Sequence, residues 1–477
     1  MSKRTLSIIG LLFGIAGLMA CSSGVAMAWD GAYQFALTVI WQAPYHYLSR
    51  FHSWIVWLPT VWASHATGNL KVLEFIYGAP YCFAPLVGFL MSCWVARKDA
   101  PQVLLWVTLG IGFGALPGQV FMINDSIFQL HLFWPFFLAA LCPIGPVKRT
   151  LVGAFGFWQL SHPIGIALCG LTAAVAVDSA IRQPERRQAF IAYAAWSLLL
   201  SVGGIAKLFL FPDSYAASEA SFGLVLYYFW GGVVGWPLLA IACVWTSTWL
   251  TWRAGTGLSG EDARRRFRIV LSLIGLATAF LVIWASNPHS WWKALDYRRW
   301  LVPLTLPFLL LAAWEGRRPP QVGSDMNRFR GMVACAAALM FALVLSVQSL
   351  SWAHLQDRLA VQVSADPGPV LAPESLAWTR ETALDHWGTA ALIITLQGRE
   401  PHTLELDRKQ LDELATEAGR NLVPLVRSHR VDPVPGPAGC FEFRPVLERI
   451  RAWDVGAYNS LKPTANTTTQ GRPAVFR

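Results

Sequence analysis

Three polar groupings in an otherwise apolar chain have the residue types and positions for chemistry. The first is Asp30, which directly follows the apolar run Leu6 to Ala28 and is preceded by Trp29. A carboxylate at a membrane face, partly shielded from water, can take the proton of a hydroxyl, and positioned acid–base groups contribute about 10²–10⁴-fold. The second is Asp125, in the stretch "FMINDSIFQLHLFWPF". Two carboxylates at one site can divide base and positioning roles, or share a divalent cation such as Mg or Mn. Two isolated aspartates identify no metal, so its presence stays open. The third is "NPHSWWKALDYRRWLVPLTLPF", residues 287–308, which sets His289, Lys293, Arg298 and Arg299 beside three Trp. Arginine holds phosphate oxygens through paired planar hydrogen bonds, so this loop suits a lipid phosphate or pyrophosphate.

Each grouping also has a plainer reading. Asp30 can be an interfacial carboxylate that stops a helix. Asn124-Asp125-Ser126 has the composition of a turn and helix cap. The 287–308 loop can be an aromatic anchor with Asp296 paired to a neighbouring Arg. Three further residues are candidates because ionisable groups at membrane depth are costly. His131 and His162 fall where a cavity would open, or are hydrogen-bonded structural residues. Lys207 can snorkel toward Pro212 or hold an anionic group.

The elements that must position these residues are membrane helices. The chain is 55% hydrophobic and only 14% charged, with mean hydropathy +0.42, whereas soluble chains carry roughly 25% charged residues. A bilayer core about 30 Å thick needs about 20 apolar residues per helix. On that basis spans are expected near 6–28, 77–96, 102–121, 127–142, 150–161, 164–178, 188–211, 222–250, 269–286, 300–315 and 331–351. The fifth and sixth are short and meet at Ser161-His162-Pro163, which predicts a broken hairpin packed inside protein.

Loop charge sets the orientation. With the N-terminus inside, inner loops hold eighteen Lys and Arg, and outer loops hold five. This is the positive-inside asymmetry. It also places the net charge of +10 along a membrane face, which argues against a nucleic-acid partner. Cysteine offers no CxxC or Cys/His spacing for a metal.

Residues 1–351 are therefore expected to form a transmembrane domain with a large first outer loop, 29–76. In that loop "SRFHSWIVWLPTVW" and "NLKVLEFIYG" read as helices along the membrane surface. Residues 352–460 return to soluble composition. There "ALIITLQG" and "HTLELD" read as strands and "RKQLDELATEAGR" as an amphipathic helix, giving a small α+β domain. Residues 461–477 read as a disordered tail.

This arrangement resembles the polytopic GT-C class of glycosyltransferases. The resemblance rests on an inside N-terminus, a first span ending at Asp30, and a long first outer loop. It rests also on Asp125 in a short outer loop, Arg298 and Arg299 before a late span, and an outer C-terminal domain after about eleven spans. The rhythm of "FQLHLFWPFFLAAL…VKRTLVGAFGFWQLSHPIGIAL" is similar to bacterial members. The resemblance implies an enzyme of the bacterial inner membrane, N-terminus cytoplasmic and C-terminal domain periplasmic. Its donor would be a polyprenyl-phosphate-linked sugar and its acceptor a lipid, glycan or protein, with inversion at the anomeric carbon. Asp30 would be the base, with Asp125 as second acid. Arg298, Arg299 and Lys207 would hold the donor phosphate, and Trp29, His131, His162 and His289 would line the substrate pocket. The chain departs from the class pattern where many members carry paired acids, since Asp30 is followed by Gly31 and the loop's only other acid is Glu74.

Two other readings compete. A transporter or flippase of lipid-linked glycans would show repeated halves and buried mid-bilayer charges, of which only Lys207 is an example. An O-antigen polymerase or ligase would concentrate outer arginines in a large late loop. The stretch "GLMACSSGVAMAWDGAYQF" also carries a lipobox-like Leu18-Met19-Ala20-Cys21 and an Ala26-Met27-Ala28 cleavage pattern. Its apolar run is 23 residues, longer than the usual 7–15 of a signal region, which predicts a retained helix. Its small residues suit close helix packing.

Overall fold

The computed structural model describes residues 1–28, 30–44, 53–114, 125–160, 164–210, 236–254, 260–286, 301–318, 324–366, 368–372, 375, 376, 378, 386–398, 400–406, 411, 425–427, 430–432 and 444–452. Helices dominate them: α1 (Lys3–Ser22), α2 (Asp30–Trp41), α3 (Ser53–Ala66), α4 (Leu70–Cys82), α5 (Ala84–Ala96), α6 (Leu104–Gly114), α7 (Asp125–Ala139) and α8 (Pro146–Ala154). There follow α9 (Ile164–Arg182), α10 (Arg187–Leu210), α11 (Trp236–Ala254), α12 (Gly260–Ala285), α13 (Leu301–Gly316), α14 (Ser324–Ala365), α15 (His386–Leu396) and α16 (Arg444–Ala452). Four strands complete the set, β1 (Val370–Leu371), β2 (Leu404–Glu405), β3 (Leu425–Arg427) and β4 (Arg430–Asp432).

Among the described residues five helical segments are long and apolar enough to cross a membrane: Lys3–Ser22, Ile164–Arg182, Pro184–Lys207, Arg264–Ala285 and Met326–Ala365. The pair α4 and α5, bent by 41°, makes a sixth if it is one span. The chain is thus a helical membrane protein. The expected eleven spans are not met among these residues, because Pro101–Phe113, Ile127–Ala139 and Thr305–Gly316 are shorter apolar helices. At 1.5 Å per residue, helices of that length cover only about two thirds of a bilayer core.

The chain divides into two compact units. The first comprises Met1–Ala26, His46–Trp57 and Phe75–Trp352. Its α1 starts where the Ser2 side chain accepts the amide of Thr5 at 3.1 Å, an N-cap that satisfies one of four orphan donors. It stops at Gly24, whose φ of 68° is left-handed backbone that glycine adopts without penalty. Phe13 of α1 packs edge-on to Phe89 of α5 and Phe341 of α14, with centroids 5.6 and 5.3 Å apart. The Trp352 indole donates to the Gly24 carbonyl at 2.8 Å. Within the unit α5 packs on α7, α6 on α13, α9 on α10, and α11 on α12. The α5–α7 crossing is close: a Cβ on Gly88 would lie 2.2 Å from the His131 carbonyl oxygen, so only glycine lets the backbones meet.

The second unit comprises Met27–Tyr45, Leu58–Glu74 and Ala353–Arg477. Its α2 is buried along Gly31–Ile40 and packs against α15. β1 pairs with β2 in parallel, and β3 pairs with β4 antiparallel. Gln397 closes the chain after α15, accepting the amides of His402 and Thr403 at 2.8 Å each and donating to the Thr403 carbonyl at 2.7 Å.

Several sequence expectations are corrected. Helix α1 ends at Ser22, a turn spans Val25–Met27, and Asp30 begins a second helix rather than ending the first. The two surface helices of the first outer loop appear as α3 and α4, but α4 runs into α5 across the bend. The expected strand "ALIITLQG" lies in helix α15, because an uninterrupted apolar run carries no period that separates helix from strand. The expected half-helix 164–178 is the 19-residue α9. Its partner is the short α8 followed by a 3-10 turn, Phe155–Leu160. Helix α14 continues without break past residue 351, where soluble sequence was expected to begin. "HTLELD" does contain β2, whereas the amphipathic helix near 408–420, Leu411 apart, and the tail 461–477 lie outside the described residues.

A buried ion pair ties α13 to α14: Arg330 Nη2 lies 2.8 Å from Glu315 Oε1, each side chain 8% exposed. Removing one member strands a buried charge, at a cost of about 3–5 kcal/mol. Arg330→Met should therefore lower thermal stability in detergent sharply, and the double change Glu315→Leu/Arg330→Met should recover most of it. A double variant no more stable than Arg330→Met would show that the pair is not the source of the loss.

Candidate functional site

Within the first unit, the interruption between α8 and α9 gathers the polar side chains. A helix that breaks at membrane depth must find partners for its freed backbone groups. Here they come from neighbouring helices. Gln129 of α7 donates through Nε2 to the Gln159 carbonyl at 2.9 Å and stands 3.1 Å from Gln159 Oε1. Gln159 returns a longer bond from Nε2 to the Gln129 carbonyl, 3.4 Å. Lys207, near the end of α10, donates from Nζ to the Leu160 carbonyl at 3.0 Å. The α9 start closes against this group at Gly165, where a Cβ would fall 1.7 Å from the Gln159 oxygen and 2.2 Å from Gln129 Nε2. Any side chain there would expel the amide pair.

The site retains unused hydrogen-bonding capacity. Gln129 Oε1 is buried without a hydrogen-bond partner, and so are both ring nitrogens of His131, a residue only 1% exposed. Buried polar groups are rarely left unpaired, and each such atom calls for an explanation. The amide acceptor and the ammonium at the break are groups that bind hydroxyls and anionic oxygens, whereas His131, two residues on from Gln129, lies on another side of α7. Asp125, the first residue of α7, stands one turn before Gln129 on the same helix face by register. Its helix N-terminus favours an anion.

The sequence-predicted residues distribute as follows. Lys207 and His131 are in place, Lys207 at the break and His131 on α7. Asp125 begins α7 in the first unit, and Asp30 begins α2 in the second; their side chains lie outside the described residues. So do Trp29, His162, His289, Arg298 and Arg299. Lys207 satisfies the broken turn; Pro212, toward which it could snorkel, lies outside the described residues. Sequence reasoning missed Gln129 and Gln159, although two glutamines inside apolar runs, "IFQLHLF" and "FGFWQL", were a legible signal. Among the described residues no group of three or more His, Cys, Asp or Glu could hold a metal ion, and no step below is routed through one.

Lys207→Met should leave the Leu160 carbonyl short of a donor and destabilise the protein by about 1–3 kcal/mol. Lys207→Arg should retain most of the stability. Thermal unfolding in detergent reads the difference, and equal behaviour of the two variants would remove Lys207 as the lock of the break. Comparison of the chain with protein-family models, curated proteins and solved structures returned no match.

Proposed function

We propose that the chain is an integral-membrane glycosyltransferase of GT-C type. It moves a sugar from a polyprenyl-phosphate donor to a lipid, glycan or protein acceptor at the outer face of a bacterial cytoplasmic membrane. The observation that carries this reading is the position of Asp30, the first residue of a helix reached directly from the membrane-length α1. In this reading the Asp30 carboxylate accepts the proton of the attacking hydroxyl. Asp125 opens α7 in the same manner. In this reading Arg298 and Arg299 bind the leaving polyprenyl phosphate, because guanidinium groups match its oxygens in pairs. The acceptor oxygen forms the new bond to the anomeric carbon as the carbon–phosphate-oxygen bond breaks on the opposite face, with inversion. The finer layout, about eleven spans with an extracytoplasmic α+β C-terminal domain, belongs to this proposal.

A second reading draws on the break at Phe155–Leu160. Interrupted helices whose freed backbone lines a polar site are the device of carriers for lipid-linked or other anionic substrates. The buried Gln129, Gln159 and Lys207 suit that use as well.

Asp30→Asn should abolish sugar transfer while leaving folding and membrane insertion intact; a fully active variant would remove Asp30 as the base. Arg298→Ala/Arg299→Ala should weaken donor binding about tenfold or more while changing acceptor binding little. Unchanged donor affinity would count against the phosphate pocket. Protein that moves the donor between leaflets of a vesicle without cleaving it would favour the carrier.

A further inference from the structure

Three cations gather where α7 and α5 end, two donating to carbonyls of the chain that leaves α7 and one to a carbonyl at the end of α5. Arg149 Nη2 donates to the Cys142 carbonyl at 3.2 Å, and Arg186 Nη1 donates to the carbonyl of Pro143. Lys148 Nζ donates to the Trp94 carbonyl at the end of α5. Each helix end carries a partial negative charge of about half an electron, so the two ends together offset only about one of the three positive charges. Among the described residues no carboxylate pairs with any of them, and the ion pairs lie elsewhere. The acids nearest in sequence, Asp99 and Glu185, pair with none of the three. Arg149 is 7% exposed, its Nε is buried without a partner, and its guanidinium lies 4.5 Å from the Phe190 ring centroid.

Apolar surface adjoins this charge. Lys148 Nζ sits 4.7 Å from the Trp94 ring centroid. Trp94 ends an outward row on α5 with Val87 and Leu90, which are 45%, 40% and 52% exposed in that order. Residues so spaced share one helix face. A phosphate satisfies several guanidinium and ammonium donors at once, and basic pockets between membrane helices take lipid head groups.

We propose that Lys148, Arg149 and Arg186 form a head-group site for an anionic glycerophospholipid. Its phosphate rests on the three cations, and an acyl chain lies along Val87, Leu90 and Trp94. The apolar row leading away from the charge selects a lipid over a free phosphate. The site is remote in the chain from Asp30 and from the 287–308 loop, and it stands whether the protein is a transferase or a carrier.

The test is native mass spectrometry of the purified full-length protein equilibrated with equal phosphatidylglycerol and phosphatidylcholine. The protein should retain phosphatidylglycerol in preference, about tenfold or more. Lys148→Ala/Arg186→Ala should bring that preference down to about twofold or less, with thermal unfolding kept near that of the parent. Should the double variant fail to fold, Arg186→Gln, on an exposed side chain, carries the test alone. Arg253→Ala, a cation beside Trp249 elsewhere on the molecule, should leave the preference unchanged. Equal retention of the two lipids, or unchanged preference in the variants, overturns the proposal. Displacement of the lipid by millimolar glycerol 3-phosphate overturns the acyl-chain part of the site.

Discussion

The constraint on which the first unit depends is that lipid offers no hydrogen bonds. Where the helix breaks at Phe155–Leu160, the carbonyls released must be met from within the protein. Gln129 and Lys207 meet those of Gln159 and Leu160, and Gly165 supplies the room. Three helices, α7, α9 and α10, are thereby pinned to one turn. The same turn keeps the Gln129 amide oxygen buried with capacity to spare, so the arrangement that makes the break tolerable also leaves a group that can bind.

Several charges of the described residues are tethered by ion pairs. Glu315 and Arg330 face one another across the α13–α14 connection. Asp178 meets both Arg182 and Arg317, at 2.9 and 3.2 Å. Cations without an acid find carbonyls or aromatic rings instead, as Arg149 does with Cys142 and Phe190. The positive-inside rule predicts which loops collect cations, but it does not specify their partners. The contacts around the end of α7 do.

Sequence made the apolar helices legible, because their length and hydropathy follow from the bilayer. It was less informative wherever an element is buried on all sides. The run in α15 read as a strand since continuous burial erases periodicity, and α2 was hidden inside a supposed loop because its neighbours supply its partners. Asp30 illustrates the limit. Its place just beyond an apolar run was visible in the sequence, but that it opens a new helix was not, since Gly24 and the turn after it decide where α1 stops. Of the candidate site, His131 and Lys207 were visible as polar residues in apolar runs. The two glutamines were equally visible, but not their pairing, which depends on Gln159 lying in a turn that only packing creates.

The most direct measurement of the central claim uses purified protein in liposomes with a set of radiolabelled polyprenyl-phosphate sugars and crude envelope acceptors. The account predicts that at least one donor is consumed, with free polyprenyl phosphate released in proportion to labelled acceptor. Donors that remain intact throughout, or that cross the bilayer without losing their sugar, would contradict it.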